Sequence, residues 1–173
     1  MKYFIAAIAA AVMAGQPASG ATGDRIEGKL EGIEISGTVT LEETESGAVL
    51  MKIDAEGVPP GEHGIHIHEI GKCDAADGFK SAGDHVAGGL KHGVRTAGGP
   101  HPGDLPNAHV GADGKLHAEY FIRDFSLGTK GSTHLLDKDG AALVIHAGAD
   151  DYQTQSSGNS GDRIACAVLK SAR

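Results

Sequence analysis

Short stretches of alternating or β-branched residues, separated by turn residues, recur along this chain, and no stretch shows a sustained helical period with caps. The predicted strands cover residues 33–41, 49–55, 65–70, 115–121, 141–146 and 163–169. We expect the first two to pair across a turn at residues 45–47. The 27 glycines suit a protein with many turns. Strands of this length and spacing predict an all-β sandwich or barrel.

Two long segments, 71–110 and 147–162, interrupt this pattern. Both are rich in glycine and contain no run that reads as a strand. Structureless loops longer than about 15 residues are uncommon in compact domains unless they are functional or disordered. Because the first segment also holds a cysteine and four histidines, we expect two long functional loops. The chain has no internal repeat and no linker, which predicts one domain.

The N-terminus has the three parts of a secretory signal peptide. Lys2 precedes an apolar run from residue 3 to 14, and small residues surround Ala18 and Ala21. The run has about a dozen residues, whereas a membrane-spanning helix needs roughly 20. An uncleaved membrane anchor is the alternative. We expect cleavage after Gly20 or Ala21, which gives a signal peptide over residues 1–20 and a mature domain over 21–173. The mature protein is then secreted, into the periplasm if the host is a Gram-negative bacterium.

The charge and the cysteines limit the partners and the compartment. The formal net charge is −8, which argues against binding to nucleic acid or to an anionic membrane. The chain has two cysteines, Cys73 and Cys166. In an oxidising compartment such a pair usually forms a disulfide. Two free thiols or two soft metal ligands are the alternatives.

The histidines are concentrated in one part of the chain, with seven of the ten between His63 and His109. His66 and His68 lie two residues apart on a predicted strand, so both imidazoles project from the same face and can bind one ion. His63 has the opposite parity, and we expect it to have a structural, hydrogen-bonded role on the other face.

A second group of metal-binding residue types follows in the first long loop. His85, His92 and His101 lie within 17 residues, and Asp104 comes three residues after the last of them. Three imidazoles and a carboxylate fit a closed tetrahedral zinc site. His146 ends an apolar strand that can deliver another ligand. The remaining histidines are expected at the surface: His109, His117 and His134.

Five segments in order now carry a resemblance to a known family. Residues 61–69 (GEHGIHIHE) closely resemble the copper-binding signature of the copper/zinc superoxide dismutases, and residues 158–166 (GNSGDRIAC) resemble the second signature of that family. Residues 81–85, 99–105 and 144–151 look like its metal-site segments. The resemblance implies a Greek-key β-sandwich or flattened barrel of about eight strands. It also implies an exported, bacterial-type enzyme that converts superoxide to oxygen and hydrogen peroxide by copper redox cycling.

The resemblance also implies roles for individual residues. The expected copper ligands are His66, His68, His85 and His146, and the expected zinc ligands are His85, His92, His101 and Asp104. His85 would bridge the metals and supply a proton, and Asp150 would hydrogen-bond one ligand of each metal. Arg163 would guide the superoxide anion, and Cys73 and Cys166 would form the intrachain disulfide. Family members of this type are monomers or homodimers.

The chain departs from the family pattern directly after His85. The family usually continues with an aromatic residue, asparagine and proline, whereas this chain has Val86-Ala87-Gly88, and the spacing to His92 is one residue shorter. We expect these changes to affect the rigidity of the loop and its zinc affinity. Ser157 stands where a threonine at the channel rim is common. The alternative function is a protein that buffers copper or zinc without turnover, but such a protein gives no reason for Arg163 beside the metals.

Overall fold

The computed structural model describes residues 25–127, 135 and 137–171. Within them lie eight strands: β1 (Arg25–Gly32), β2 (Ser36–Glu43), β3 (Val49–Glu56), β4 (Gly61–His68), β5 (Asp104–Val110), β6 (Leu116–Ile122), β7 (Ala141–His146) and β8 (Arg163–Ser171). Two single 3₁₀ turns, Ala75–Asp77 and Lys80–Ala82, lie in the loop between β4 and β5. The expected signal peptide and His134 lie outside the described residues. In the described part of the chain, none of the helical segments has the length and hydropathy to cross a membrane.

The strands form one antiparallel sheet in the order β5-β4-β7-β8-β1-β2-β3-β6. The two outer strands, β5 and β6, contact each other, so the sheet curls into a nearly closed barrel. Read across this seam, the order β7-β4-β5-β6 places the fourth strand beside the first, which is the Greek-key arrangement. The predicted all-β Greek-key barrel is therefore confirmed.

Alternation of side chains along the strands fills the barrel. On β3, Val49, Met51, Ile53 and Ala55 point inward and are buried, while the residues between them are half-buried or exposed. On β7 every residue is buried, because one face points into the barrel and the other lies under the first long loop. The outer face of β7 is thus a covered surface outside the barrel, and His66 and His68 of the neighbouring β4 lie on this side.

Three sequence predictions of strands need correction. Strand β1 was not predicted, and β5 lies inside residues 71–110, which were expected to hold no strand. The strand predicted at 33–41 begins at Ser36 instead, because Ile33 lies in the β1–β2 turn closed by the Gly32 N–H to Ile35 carbonyl hydrogen bond of 2.9 Å, and is 89% exposed. The predicted pairing of the strands at 33–41 and 49–55 is confirmed for β2 and β3, with Val39 opposite Ile53.

Candidate metal centre

Two neighbouring strands deliver three histidines to the outer face of the barrel. His66 and His68 alternate on β4 with Ile65 and Ile67, which point into the core. His146 ends β7, and β7 pairs with β4 so that His66 lies opposite Val144. All three imidazoles are buried. The same-face prediction for the H-x-H pair is therefore confirmed.

The first long loop brings His85 against this face. The loop runs antiparallel to β4 at the bridge between His68 and His85, and the Val86 N–H donates to the Ile67 carbonyl over 2.9 Å. The Gly103 N–H in turn donates to the Val86 carbonyl over 3.0 Å. Val86, the first residue of the altered segment, is thus held by backbone hydrogen bonds through both its N–H and its carbonyl. The centroid of the His85 ring lies 4.0 Å from that of the His66 ring.

The first cluster consists of four imidazoles whose inner nitrogens face one another. One nitrogen each of His66, His68, His85 and His146 lies within 4.8 Å of those of the other three. The buried nitrogens His66 Nδ1, His68 Nε2, His85 Nε2 and His146 Nε2 have no hydrogen-bond partner among the described residues. Buried polar atoms are otherwise almost always paired. Four nitrogens that share one small space without partners are the donor set of a metal ion.

The outer nitrogens fix the tautomers of three of these rings. His68 Nδ1–H donates to the Gly83 carbonyl over 2.9 Å, and His146 Nδ1–H donates to the Gly161 carbonyl over 3.2 Å. His66 Nε2–H donates to a carboxylate oxygen of Asp150 over 2.9 Å. Because a neutral imidazole carries one proton, the inner nitrogens of these rings present lone pairs to the cluster.

The second cluster is arranged around one oxygen of Asp104. Its Oδ1 lies 2.9 Å from His85 Nδ1, 3.0 Å from His92 Nδ1 and 3.2 Å from His101 Nδ1. Ligands about 2.0–2.1 Å from a tetrahedral zinc ion are separated by about 3.3 Å. The other oxygen, Oδ2, accepts from the backbone N–H groups of Gly93 and His101 over 2.9 and 3.0 Å, which orients the carboxylate.

His92 shows most directly that this second cluster fits a cation. Its Nε2–H donates to Asp150 Oδ1 over 3.0 Å, so its Nδ1 carries a lone pair. That lone pair faces the anionic Asp104 Oδ1 at 3.0 Å without a hydrogen bond. Two electron-rich atoms at this distance repel each other unless a cation lies between them. His85 belongs to both clusters, with Nδ1 toward Asp104 and Nε2 toward the first cluster.

Asp150 connects the two clusters from behind. Its Oδ2 accepts from His66 in the first cluster and its Oδ1 from His92 in the second. Oδ1 also accepts the Tyr152 N–H over 2.6 Å. The carboxylate is buried, and its hydrogen bonds to His66, to the Tyr152 amide and to His92 lower its pKa in spite of the burial that would raise it. Asp150 therefore stays ionised and holds one ring of each cluster in a fixed tautomer.

Burial keeps His66 and His146 of the first cluster neutral. Loss of hydration lowers the pKa of His66 to about 4 and that of His146 to about 3, against 6.5 for a free imidazole. The pKa of the Asp104 carboxyl is also lowered, because the hydrogen bonds from His85 and Gly93 outweigh the opposing effect of burial. Neutral imidazoles and an ionised carboxylate are the protonation states that bind metals.

An open cavity of about 280 Å³ leads to the first cluster. His85, His146 and Arg163 are among its lining residues, and so is Ser157, the residue expected at the channel rim. Arg163 is half-buried, and its Nη1 and Nη2 donate to the carbonyls of Phe79 and Gly83, each over 2.8 Å. The guanidinium is therefore tied to the first long loop. The Gly83 carbonyl also accepts from His68, which connects Arg163 to a residue of the first cluster.

The disulfide between Cys73 and Cys166 is present, with the two Cα atoms 5.7 Å apart. It joins the first long loop to β8. Cys166 also packs with Phe79 and Ala82 over the outer face of β7. The bridge thus secures the loop segment whose carbonyls hold Arg163.

Three residues have supporting roles that the sequence did not predict. The Asn107 side chain pairs with the backbone of Asp150 by two hydrogen bonds of 2.9 and 2.8 Å. Gln155 forms the same kind of two-point pairing with the backbone of His92, with both bonds at 2.9 Å. Gly158 has φ +64° and lies so close to the Asp150 carboxylate that a Cβ would overlap it. Only their tertiary contacts identify these residues.

The other described histidines, His63, His109 and His117, have surroundings that agree with the sequence predictions. His63 is buried, and its ring nitrogens lie 2.7 Å from the His146 carbonyl and 2.8 Å from the Pro59 carbonyl. This supports the expected structural, hydrogen-bonded role. His109 and His117 are exposed, and His117 pairs with Asp54 on the neighbouring strand at 2.6 Å.

Comparison with known proteins identifies the family. Residues 35–169 match the family model of copper/zinc superoxide dismutase. The Cu-Zn superoxide dismutase of Caulobacter vibrioides is 44% identical over 138 residues, which is 78% of each chain. A Cu-Zn superoxide dismutase of Aquifex aeolicus is 45% identical over 137 residues, covering 78% of this chain and 79% of that one. This chain belongs to the copper/zinc superoxide dismutase family.

Solved structures show the same barrel. A double mutant of a superoxide dismutase-like protein from Bacillus subtilis superposes with a TM-score of 0.78 at 40% identity, covering 87% of this chain and 99% of that one. The clock protein EA4 superposes with a TM-score of 0.73 at 30% identity, covering 89% and 98%. The cofactors of the copper/zinc superoxide dismutase family are copper and zinc, and the two clusters fit two metal sites.

Proposed function

We propose that this copper/zinc superoxide dismutase converts two superoxide anions and two protons into oxygen and hydrogen peroxide. We assign copper to His66, His68, His85 and His146, and zinc to His85, His92, His101 and Asp104. The observation that carries the assignment is the arrangement of the ligand atoms in two four-residue groups that share only His85. The inward nitrogens of the first group have no hydrogen-bond partner among the described residues. An all-histidine set suits copper, and three imidazoles with one carboxylate suit zinc.

Bound copper supplies the one-electron redox couple that oxidises one superoxide and reduces the next. The protein supplies the geometry. His68 and His146 are held by backbone carbonyls, and His66 is held by Asp150, so the ring orientations do not depend on the metal. Asp104 holds Nδ1 on the far side of His85 and leaves its Nε2 facing the first cluster. His85 Nε2 can hold a proton when it is not a ligand and can pass it to the second superoxide as that anion is reduced to hydrogen peroxide.

Arg163 attracts and positions the substrate anion in this proposal. Its guanidinium cannot bind a metal and cannot lose its proton at physiological pH. It is the one cationic side chain among the described residues that line the cavity. A fixed positive charge in a low-dielectric cleft focuses the field on a small anion and can raise association rates by roughly 10 to 10³.

We further propose that the mature protein begins near residue 21 and works outside the cytoplasm, in the periplasm of a Gram-negative host. A basic start, a short apolar run and small residues support this, as does the disulfide, which persists in oxidising compartments. We propose a monomer or a homodimer. Mass spectrometry of the exported protein and sedimentation analysis test these two points.

The test of function compares Arg163→Ala and Arg163→Glu with the parent after loading with copper and zinc. We expect both variants to keep both metals. We expect the alanine variant to dismutate more slowly, and the glutamate variant more slowly still, because a like charge then faces the anion. Added salt should slow the parent by screening the attraction.

A metal-buffering protein gives a different result. It binds both metals but shows no dismutation in the loaded parent, which refutes the proposed function. Equal activities of the alanine and glutamate variants at full metal content would refute the steering role alone. Because Arg163 also holds the Phe79 and Gly83 carbonyls, Arg163→Lys serves as the control that keeps the charge and changes those hydrogen bonds.

A further inference from the structure

The cavity that leads to the first cluster is lined by two side chains of opposite charge. Among the described residues that line it, Arg163 is the one cation and Asp84 the one carboxylate. The histidines in the lining all belong to the two clusters. Asp84 directly precedes His85 and is exposed. An acidic side chain at the mouth of a cavity for an anion opposes the attraction that Arg163 supplies.

No structural role explains the presence of the Asp84 carboxylate. Within the part of the chain that the structure describes, it forms no hydrogen bond and no ion pair. Its backbone is fixed, since the Asp84 carbonyl accepts the Glu69 N–H over 2.9 Å at the end of β4. The position of its Cα is therefore fixed, and the carboxylate stays within one side-chain length of that point. Its field reaches Arg163, because Asp84 raises the pKa of that guanidinium against the lowering caused by burial.

We propose that Asp84 is a specificity-determining residue, which lowers the positive potential of the cavity and thereby favours singly charged anions over multiply charged ones. The physical reason is that the electrostatic energy of an ion scales with its charge. A change of potential that alters the binding of a monovalent anion by a given factor alters the binding of a divalent anion by the square of that factor. With Asp84 present, divalent anions such as phosphate lose more affinity than superoxide loses.

The size of the effect follows from Coulomb's law in a solvated cleft. At a dielectric near that of water, a unit charge at an assumed separation of about 6 Å changes the affinity for a monovalent anion by about threefold. The change for a divalent anion is then about ninefold. Both factors shrink at high ionic strength, since the Debye length falls to about 3 Å at 1 M salt.

The experiment uses the copper- and zinc-loaded protein and measures anion binding at the copper site, not only activity. Azide is titrated through its effect on the visible absorption of the loaded protein, and inorganic phosphate is titrated as a competitor of azide at mildly alkaline pH, where it is mainly divalent. We expect Asp84→Asn at low ionic strength to bind azide about threefold and phosphate about ninefold more tightly than the parent does. Asp84→Glu keeps the charge and should behave as the parent does. Glu45→Gln removes the same charge in the β2–β3 turn and should also leave both affinities unchanged.

Each other outcome overturns the inference. Unchanged azide and phosphate affinities in Asp84→Asn show that the carboxylate does not set the potential of the cavity. Equal gains for the two anions show that the residue acts through shape and not through charge. A gain that persists at high salt has the same meaning. The inference rests on the proposed function, but the two fail separately: a loaded parent without dismutation refutes the function, whereas the azide and phosphate affinities alone decide the role of Asp84.

Discussion

Replacing Asp150 with asparagine tests the connection between the two clusters, and the structure predicts which metal loses more binding affinity. Asp150 Oδ1 accepts two donors, the Tyr152 N–H and His92 Nε2–H, whereas Oδ2 accepts one, from His66. An asparagine oxygen therefore takes the Oδ1 position, where it satisfies two donors. The amide NH₂ then faces His66 Nε2–H, and two donors oppose each other.

His66 can relieve the repulsion between the two donors only by moving its proton to Nδ1, the nitrogen that faces the other rings of the first cluster. An imidazole protonated at that atom cannot bind copper. Keeping the present tautomer instead leaves a buried donor unpaired, which costs about 1–3 kcal/mol. Loss of such an orienting partner typically lowers metal affinity by about 10–100-fold. Asp150→Asn should therefore lose copper affinity by a factor in this range and lose much less zinc affinity.

The assay is competition of each metal between the metal-free variant and a chelator of known affinity, with metal content measured on the separated protein. Asp150→Leu is the control, because it removes both acceptor oxygens and should weaken both metals. A greater loss of zinc than of copper in Asp150→Asn would refute the argument from the oxygen positions. Equal losses would show that the carboxylate acts by its charge, without regard to which oxygen faces which ring.

Three further outcomes are expected. Asp104→Ala should release zinc far more than copper in the same competition assay, and equal losses of the two metals would mean that Asp104 supports the fold instead. The unreduced, unfolded protein should titrate no free thiol. Replacing Cys73 and Cys166 with serine should lower the free energy of unfolding in denaturant by up to about 4.7 kcal/mol, the value for a closed loop on the order of 100 residues. An unchanged unfolding midpoint would contradict this second expectation. The metal-free protein should lose stability as the pH falls from 6.5 toward about 4, because the unfolded chain then takes up protons that buried His66 and His146 refuse. Thermal melts across this range measure the loss, and a midpoint independent of pH contradicts it.

The ligand residues could be proposed from the sequence because their chemistry is local. The parity of His66 and His68 on one strand is sufficient to place both rings on one face. The three imidazoles and Asp104 in the first loop suggest zinc by residue type alone. The resemblance to the family added the order of the segments and the sharing of His85. The structure places these residues together in two groups that could each hold a metal ion.

The parts that the sequence did not reveal depend on tertiary contacts. Strand β1 has only Ile26 and Leu30 as large inward side chains, with Gly28 between them and charged residues around them, so its alternation is weak. Strand β5 contains Pro106, which lowers strand propensity in general but is tolerated on an outer strand of a sheet. Asn107 and Gln155 bind backbone atoms of residues far away in the chain. No local pattern marks such partners.

The first long loop and the start of β5 contain the proposed zinc ligands, and the disulfide fastens that same loop to β8. Both attachments remove conformational freedom from one segment, so each makes the other less costly to form. Thermodynamic linkage makes this help reciprocal: the factor by which the bridge strengthens zinc binding equals the factor by which zinc favours the bridge. A cell compartment that keeps cysteines oxidised therefore also raises the zinc affinity of this protein. Scarcity of zinc in that compartment makes the bridge easier to reduce.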